Sequence, residues 1–237
     1  STTKYYKLSC YDSYRGIYGH ECVNELVASR LMDVLGIEHV AYKLVHAQVL
    51  VDGAEYVTWL SETRNFRRPG ERKQALDLFY DLNKQPGESP LDLCERYGWL
   101  ARVQQMMAVD FLIANRDRHG ANVEVLRSPD GAVRLAPLFD NGLSFVFSCY
   151  GDEGRVAAFD ELQDVAANNY VGTRSLEENL RFVPRNTLPN VLDEAACAHV
   201  TSGLEDVVPQ AHREKIQSIV WQRWMHLRKL GIVVGGA

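Results

Sequence analysis

Alternating apolar and polar positions predict a small sheet and one helix in the first sixty residues. Residues 5–9, 42–50 and 55–60 have the two-residue period of strands, and residues 51–53 join the last two as a hairpin. Between the first two strands, apolar residues recur every three or four positions, which indicates a helix. These residues are Val23, Leu26, Val27, Leu31 and Val34, with Gly36 placed as the C-terminal cap.

The rest of the chain is predicted to be mainly helical. The segments with helical composition and end residues cover residues 73–82, 90–97, 99–114 and 210–230, with one more helix starting at Ser175. Residues 143–147 are predicted to form a short strand, and residues 151–156 a loop.

A second predicted hairpin lies between two groups of polar residues. Residues 123–125 and 133–135 alternate as strands around turn residues 128–131. Because a hairpin brings its two ends together, Asn122 before it and Asp140 after it are expected to meet.

Composition and charge narrow the class of protein. The chain has 237 residues, of which 46% are hydrophobic, enough for a sizeable core. Its net charge of −5 argues against direct nucleic-acid binding as its main task. Five scattered cysteines without a close pair suggest reduced thiols in a cytoplasmic protein. No apolar run is long enough for a membrane span, so no membrane association is expected.

The polar residues around the second hairpin suit phosphoryl transfer. This reaction needs Mg²⁺ held between phosphate and protein oxygens, and a carboxylate aimed at the acceptor hydroxyl. Asp117 and Asn122 have the five-residue spacing of such a loop, and Asp140 can supply the third oxygen group. We predict that Asp117 orients the acceptor and that Asn122 and Asp140 bind Mg²⁺. The competing interpretation is that all three are ordinary turn and capping residues.

Two segments carry a family resemblance. Residues 115–122 (NRDRHGAN) and 138–142 (LFDNG) resemble the catalytic and metal-binding loops of HipA-like kinases, and related loops occur in phosphatidylinositol kinases. The resemblance implies a two-lobed α+β protein-kinase-like fold, with an N-lobe over residues 1–62 and a helical C-lobe over residues 63–237. It also implies ATP and Mg²⁺ as cofactors, a Ser/Thr protein substrate, and a role as a toxin with an antitoxin partner.

In a kinase, Lys7 in the first strand would reach the nucleotide phosphates and be held by an acid of the following helix. Glu21 and Glu25 are four residues apart, on a face predicted to lie away from the centre of the apolar stripe, and either could pair with Lys7. The pair Asn24-Glu25 resembles the Asn-Glu of HipA-like kinases, which favours Glu25. The alternative is that Lys7 and both glutamates are simply exposed.

The nucleotide site departs from the usual kinase pattern in one respect. No Gly-x-Gly-x-x-Gly loop precedes Lys7, so the phosphate-covering loop is expected upstream of Ser1, or the nucleotide binds under an open roof. Adenine is expected to meet Thr58, Trp59 and Leu60, where the chain would cross between the lobes. The alternative for Trp59 is a place in the core.

Asp110 lies on the apolar stripe of its helix, and a buried carboxylate must be paired. We expect Asp110 to support the catalytic loop that follows its helix, through backbone amides or through the side chain of Arg118 or His119. A structural role is also expected for His119, because no second His or Cys lies at ligand spacing.

Two other functions remain open at this point. The same core could phosphorylate a lipid head group or a small molecule, or the chain could be a non-catalytic nucleotide-binding module.

Overall fold

The computed structural model describes residues 3–236, which fold into ten strands and eight α-helices. In chain order the strands are β1 (Lys4–Lys7), β2 (Cys10–Asp12), β3 (Gly16–Tyr18), β4 (Lys43–Val51), β5 (Ala54–Arg64), β6 (Arg72–Ala75), β7 (Asp117–Arg118), β8 (Glu124–Arg127), β9 (Val133–Leu135) and β10 (Asn168–Asn169). The helices are α1 (Glu21–Leu35), α2 (Leu76–Asn83), α3 (Pro90–Arg96), α4 (Leu100–Leu112), α5 (Glu153–Ala158), α6 (Leu176–Asn179), α7 (Glu194–His199) and α8 (Gln210–Lys229). Within this part of the chain, no helix is both long and apolar enough to span a membrane.

The N-terminal part is a three-stranded antiparallel sheet in the order β1-β5-β4, with α1 packed on it. The β4–β5 hairpin turns at Asp52 and Gly53, whose φ angles of 49° and 82° are those of a type I′ turn. Gly36 ends α1 in the left-handed conformation, with φ 66°. The sheet, the hairpin and the capped helix confirm the sequence predictions.

Strand β5 is longer than predicted. It continues to Arg64, because its last residues pair with β1 from Ser61↔Lys7 to Arg64↔Lys4. Residues 58–62, where the chain was expected to cross between the lobes, therefore lie within this strand. The crossing segment is residues 65–71, which we call the linker, and the predicted domain boundary at residue 62 lies inside β5.

The C-terminal part is built around α4, in which residues 106–112 are all buried. Helix α8 packs on α4 and carries the buried Arg223. The guanidinium of Arg223 donates to the carbonyl oxygens of Phe111, Glu161 and Gln163 at 2.9, 2.7 and 2.6 Å. The bond to Phe111 ties the C-terminal end of α4 to α8.

The second predicted hairpin is present as β8 and β9, and β6 extends it to a sheet in the order β6-β8-β9. This extension corrects the helix predicted over residues 73–82, which begins only at Leu76. Residues 72–75 instead pair with β8, and Lys73 Nζ lies 2.7 Å from Glu124 Oε1. Pairing with a neighbouring strand has overridden the local helical pattern.

Residues 143–147 do not form the predicted strand. Phe145 is buried with φ 54°, and its N–H donates to the carbonyl of Ile113 at 2.7 Å. The carbonyl of Leu143 accepts from the N–H of Arg116 at 3.1 Å. The backbone of this apolar segment thus pairs with the end of α4 and the residues after it. The loop predicted over residues 151–156 is also wrong, because Asp152 caps α5 by accepting from the N–H of Arg155.

The N-terminal sheet with its helix, the linker, and the mainly helical C-terminal part together form the two-lobed α+β arrangement expected from the sequence.

Candidate active site

Asp110 braces the loop that follows α4. We call residues 115–122 the NRD loop. Asp110 is 1% exposed, and its carboxylate accepts from Nη2 and Nε of Arg118 at 2.7 and 3.1 Å and from Nδ2 of Asn115 at 2.9 Å. These are the partners that a buried carboxylate requires. The prediction that Asp110 supports this loop, with Arg118 as one possible partner, is confirmed.

The other side of the Arg118 guanidinium reaches the second motif, residues 139–142, which we call the DNG loop. Its Nη1 donates to the carbonyl of Phe139 at 2.8 Å and, more weakly, to that of Asn122 at 3.3 Å. Its Nη2 donates to Oδ1 of Asn141 at 2.7 Å. One buried side chain therefore fastens both ends of the β8–β9 hairpin to α4. Burial alone would lower the pKa of Arg118, but the carboxylates of Asp110, Asp140 and Glu25 together raise it.

Hydrogen bonds within the NRD loop orient the side chains of Asn122 and His119. Asn122 Nδ2 donates to the carbonyl of Asp117 at 2.9 Å, which fixes the amide and leaves its Oδ1 without a hydrogen bond from any residue in the 3–236 range. Nδ1 of His119 accepts from the N–H of Ala121 at 3.1 Å, and its Nε2 lies 3.6 Å from Oδ2 of Asp117. His119 is therefore a hydrogen-bonding residue beside Asp117, as expected.

Helix α1 holds the DNG loop from the N-lobe side. Nδ2 of Asn24 donates to the carbonyls of Gly142 and Ser144 at 2.8 and 3.1 Å, and Oε2 of Glu25 accepts from the N–H of Asn141 at 2.8 Å. These contacts of Asn24 are not predicted above. A signal existed, because Asn24 precedes the buried Val27 and Ala28 by three and four residues and so shares their face of the helix.

The DNG loop is held in an uncommon backbone conformation. Asp140 has φ 56°, in the left-handed region that residues other than glycine rarely adopt. Its neighbours in the chain, Phe139, Asn141 and Gly142, each form a hydrogen bond through a backbone group. The N–H of Asp140 itself lies 3.4 Å from the hydroxyl of Tyr42. Strain that neighbours maintain in this way is typical of functional sites.

Lys7 points from β1 to the DNG loop. Its Nζ lies 2.6 Å from Oδ1 of Asp140 and 3.9 Å from Oε1 of Glu25. Glu25, and not Glu21, is thus the helix acid that pairs with Lys7. Burial would lower the pKa of Lys7, but the carboxylates of Asp140 and Glu25 together raise it, so Lys7 is a cation at neutral pH.

Both helix glutamates are buried, so the alternative that they are simply exposed is wrong. Glu25 is 1% exposed and Glu21 9% exposed. The carboxylate of Glu21 accepts from the thiol of Cys10 at 2.7 Å. Burial raises the pKa of Glu25 to about 7, although the Asn141 N–H and Lys7 oppose this rise. The DNG loop folds over this face of α1, a long-range contact that the helical pattern alone does not contain.

The three residues expected to meet adenine lie inside β5. The ring of Trp59 stacks on His46 of β4 at a centroid distance of 4.6 Å, and Leu60 is buried. The linker itself comes closer to the motifs, because Phe66 stacks on Phe139 at 5.9 Å. A cavity of about 420 Å³ runs along residues 39–43 and 62–66.

The donor set fits Mg²⁺ in a nucleotide complex. Residues 3–236 contain no group of three or more His, Cys, Asp and Glu side chains that could hold a metal ion by themselves. Mg²⁺ in such sites is instead bound by one or two carboxylates, substrate phosphates and water. The carboxylate of Asp140, which is 34% exposed, and the unused amide oxygen of Asn122 are ligands of that kind.

Comparisons with known proteins identify the fold. No protein-family model matches the chain, and no curated protein matches it. Among solved structures, the Helicobacter pylori proinflammatory kinase CtkA is similar, with a TM-score of 0.63 and 14% identity over 95% of this chain and 81% of that one. A chain of the Shewanella oneidensis HipA, HipB and operator DNA complex gives a TM-score of 0.38 and 16% identity, over 98% of this chain and 57% of that chain. The first likeness shows that this chain shares the overall fold of that kinase.

Replacing Arg118 by lysine tests whether the guanidinium joins the two loops. A lysine keeps the charge but cannot reach Asp110, Asn141 and the Phe139 carbonyl together. We expect Arg118→Lys to lower the free energy of unfolding in urea by about 2 to 4 kcal/mol. The exposed Arg174, whose side chain has no hydrogen bond among the described residues, gives the control Arg174→Lys. Equal unfolding midpoints for the two variants would contradict the role of Arg118.

The raised pKa of Glu25 predicts a pH-dependent stability. The folded protein binds the Glu25 proton more tightly than the unfolded chain does, so stability is lost as the pH rises from about 4.5 to about 7. The cost of ionising the buried group is at most on the order of 3 kcal/mol. Glu25→Gln removes this loss. The melting temperature of the variant relative to that of the parent should therefore rise between pH 5 and pH 8. Glu95→Gln, at an exposed site, should show no such gain; parallel pH curves for the parent and Glu25→Gln would rule the effect out.

Proposed function

We propose that this protein is an ATP- and Mg²⁺-dependent phosphotransferase, a HipA-like kinase acting on a Ser or Thr hydroxyl of a protein. The observation that carries this proposal is the bonding of Arg118 to the NRD loop, the DNG loop and Asp110 at once. It joins the two loops that carry Asp117, Asn122 and Asp140, which supports the grouping of these side chains that phosphoryl transfer requires.

In the proposed reaction, the acceptor oxygen forms a bond to the γ-phosphorus while the bond from that phosphorus to the ADP oxygen breaks. ADP leaves with the electron pair of the broken bond, and the hydroxyl proton passes to the carboxylate of Asp117. Asp117 is 27% exposed and can meet an incoming hydroxyl. His119, 3.6 Å away, would restrain the orientation of this carboxylate.

Lys7 would exchange its contact with Asp140 for the nucleotide phosphates, with Glu25 keeping the ammonium near the site. Asn122 and Asp140 would hold Mg²⁺, which when bound neutralises phosphate charge and orients the γ-phosphoryl group. The adenine of ATP would lie against the linker, because β5 continues past Leu60 to Arg64 and the linker, not residues 58–60, connects the lobes.

The biological setting is proposed on other grounds. All five cysteines are free thiols, which suits a cytoplasmic protein. The toxin role and an antitoxin partner rest on the sequence resemblance alone.

Two substitutions separate binding from chemistry. Asp117→Asn should bind Mg·ATP within about threefold of the parent affinity but transfer phosphate roughly 10²- to 10⁴-fold more slowly, because the group that receives the proton is lost. Asp140→Asn should weaken Mg²⁺-dependent ATP binding itself. Asp206→Asn, at an exposed site, is the matched control. The measurements are calorimetry with Mg·ATP and transfer of labelled phosphate to lysate proteins.

The outcomes also distinguish the other functions. Label that enters lipids or small molecules and no protein would show a different acceptor on the same core. Tight Mg·ATP binding without any transfer, unchanged in Asp117→Asn, would show a non-catalytic nucleotide-binding module.

A further inference from the structure

A distant segment of the chain lies directly beside Asp117. Strands β7 and β10 pair in parallel, with Asn168 as the register partner of Asp117. The N–H of Asn168 donates to the carbonyl of Arg116 at 2.8 Å, and that of Tyr170 to the carbonyl of Arg118 at 3.0 Å. Partner residues in a β-ladder project their side chains to the same face. The side chain of Asn168 is therefore a neighbour of the Asp117 carboxylate.

The two register pairs of this ladder face opposite directions. On the inner face, Arg118 is buried and Asn169 Oδ1 accepts from the N–H groups of Val171 and Gly172 at 3.0 and 2.9 Å. On the outer face, Asp117 is part-exposed and Asn168 is exposed. The Asn168 side chain makes no hydrogen bond within residues 3–236. Asn169 thus shapes the segment, whereas the amide of Asn168 is displayed beside Asp117 with its hydrogen-bonding groups free.

The segment that carries Asn168 is fastened at both ends. Ala167 is buried, and its N–H donates to the carbonyl of Arg174 at 2.8 Å. The N–H of Thr173 donates to Oδ1 of the buried Asn179 at 2.6 Å. A residue on such a fixed backbone can orient a bound group without first being ordered itself.

From this juxtaposition we infer that Asn168 is a positioning residue that holds a polypeptide acceptor against Asp117. Its amide offers two donors and an acceptor, which complement the C=O and N–H of a peptide group. Hydrogen bonds to the peptide group of the acceptor residue would bring that residue's hydroxyl to the Asp117 carboxylate. The inference rests on the proposed kinase function and narrows its substrate to an extended polypeptide segment.

A library of peptides that each contain one Ser or Thr tests this role with Mg·ATP as the phosphate donor. For the best peptide, Asn168→Ala should lower kcat/KM by roughly 10- to 100-fold, because the hydroxyl is no longer oriented. The KM for ATP should stay within about twofold, since Asn168 faces the acceptor and not the nucleotide. Gln163→Ala, at an exposed site five residues before Asn168 where only the backbone forms hydrogen bonds, should match the parent enzyme.

Asn169→Ala gives the structural contrast, because it removes the cap of Val171 and Gly172 and should lower the melting temperature, whereas Asn168→Ala should not. Unchanged peptide kinetics in Asn168→Ala would overturn the inference while leaving the kinase function standing. A lower kcat/KM accompanied by a fall in melting temperature as large as that of Asn169→Ala would do the same. A parent protein that transfers phosphate to no peptide and no lysate protein would instead overturn the proposed function.

Discussion

The buried guanidinium of Arg118 is the constraint on which the site depends. Removing a cation from water costs several kcal/mol, and only a close carboxylate with further hydrogen bonds recovers that cost. Asp110 supplies the carboxylate, and the remaining donors can be satisfied only if the Phe139 carbonyl and Asn141 come to the same point. Burying Arg118 therefore requires the NRD and DNG loops to be together. The positions of Asp117 and Asp140 follow from a packing requirement of the core.

Helix α1 is coupled to the same site through its buried polar side chains. Asn24 and Glu25 hold the DNG loop, and Glu25 also approaches Lys7. Lys7 stands among the carboxylates of Asp140, Glu25 and, at longer range, Glu21. These acids outnumber the cation, and the phosphates of a nucleotide would add further negative charge. A divalent cation between phosphates and protein oxygens would balance that excess.

The local features of the site could be predicted from the sequence, whereas the long-range contacts could not. The spacing of Asp117 and Asn122 and the hairpin before Asp140 are set by short-range patterns, and the structure contains that hairpin. The burial of Glu25 and the contact of Tyr42 with Asp140 depend on segments about a hundred residues apart. The pairing of Asn168 with Asp117 joins segments fifty residues apart through a ladder of two residues, too short to leave a periodic signal. The end of β5 was misplaced for the same reason, since β1 and not the local pattern holds its last residues.

A crystal structure with Mg²⁺ and a non-hydrolysable ATP analogue would test the central claim most directly. We expect a metal ion about 2.0 to 2.1 Å from a carboxylate oxygen of Asp140 and from Oδ1 of Asn122. We also expect the γ-phosphate to face Asp117, with the bonds of Arg118 unchanged. A nucleotide bound away from the NRD and DNG loops, or a metal ion that touches neither Asn122 nor Asp140, would contradict the account.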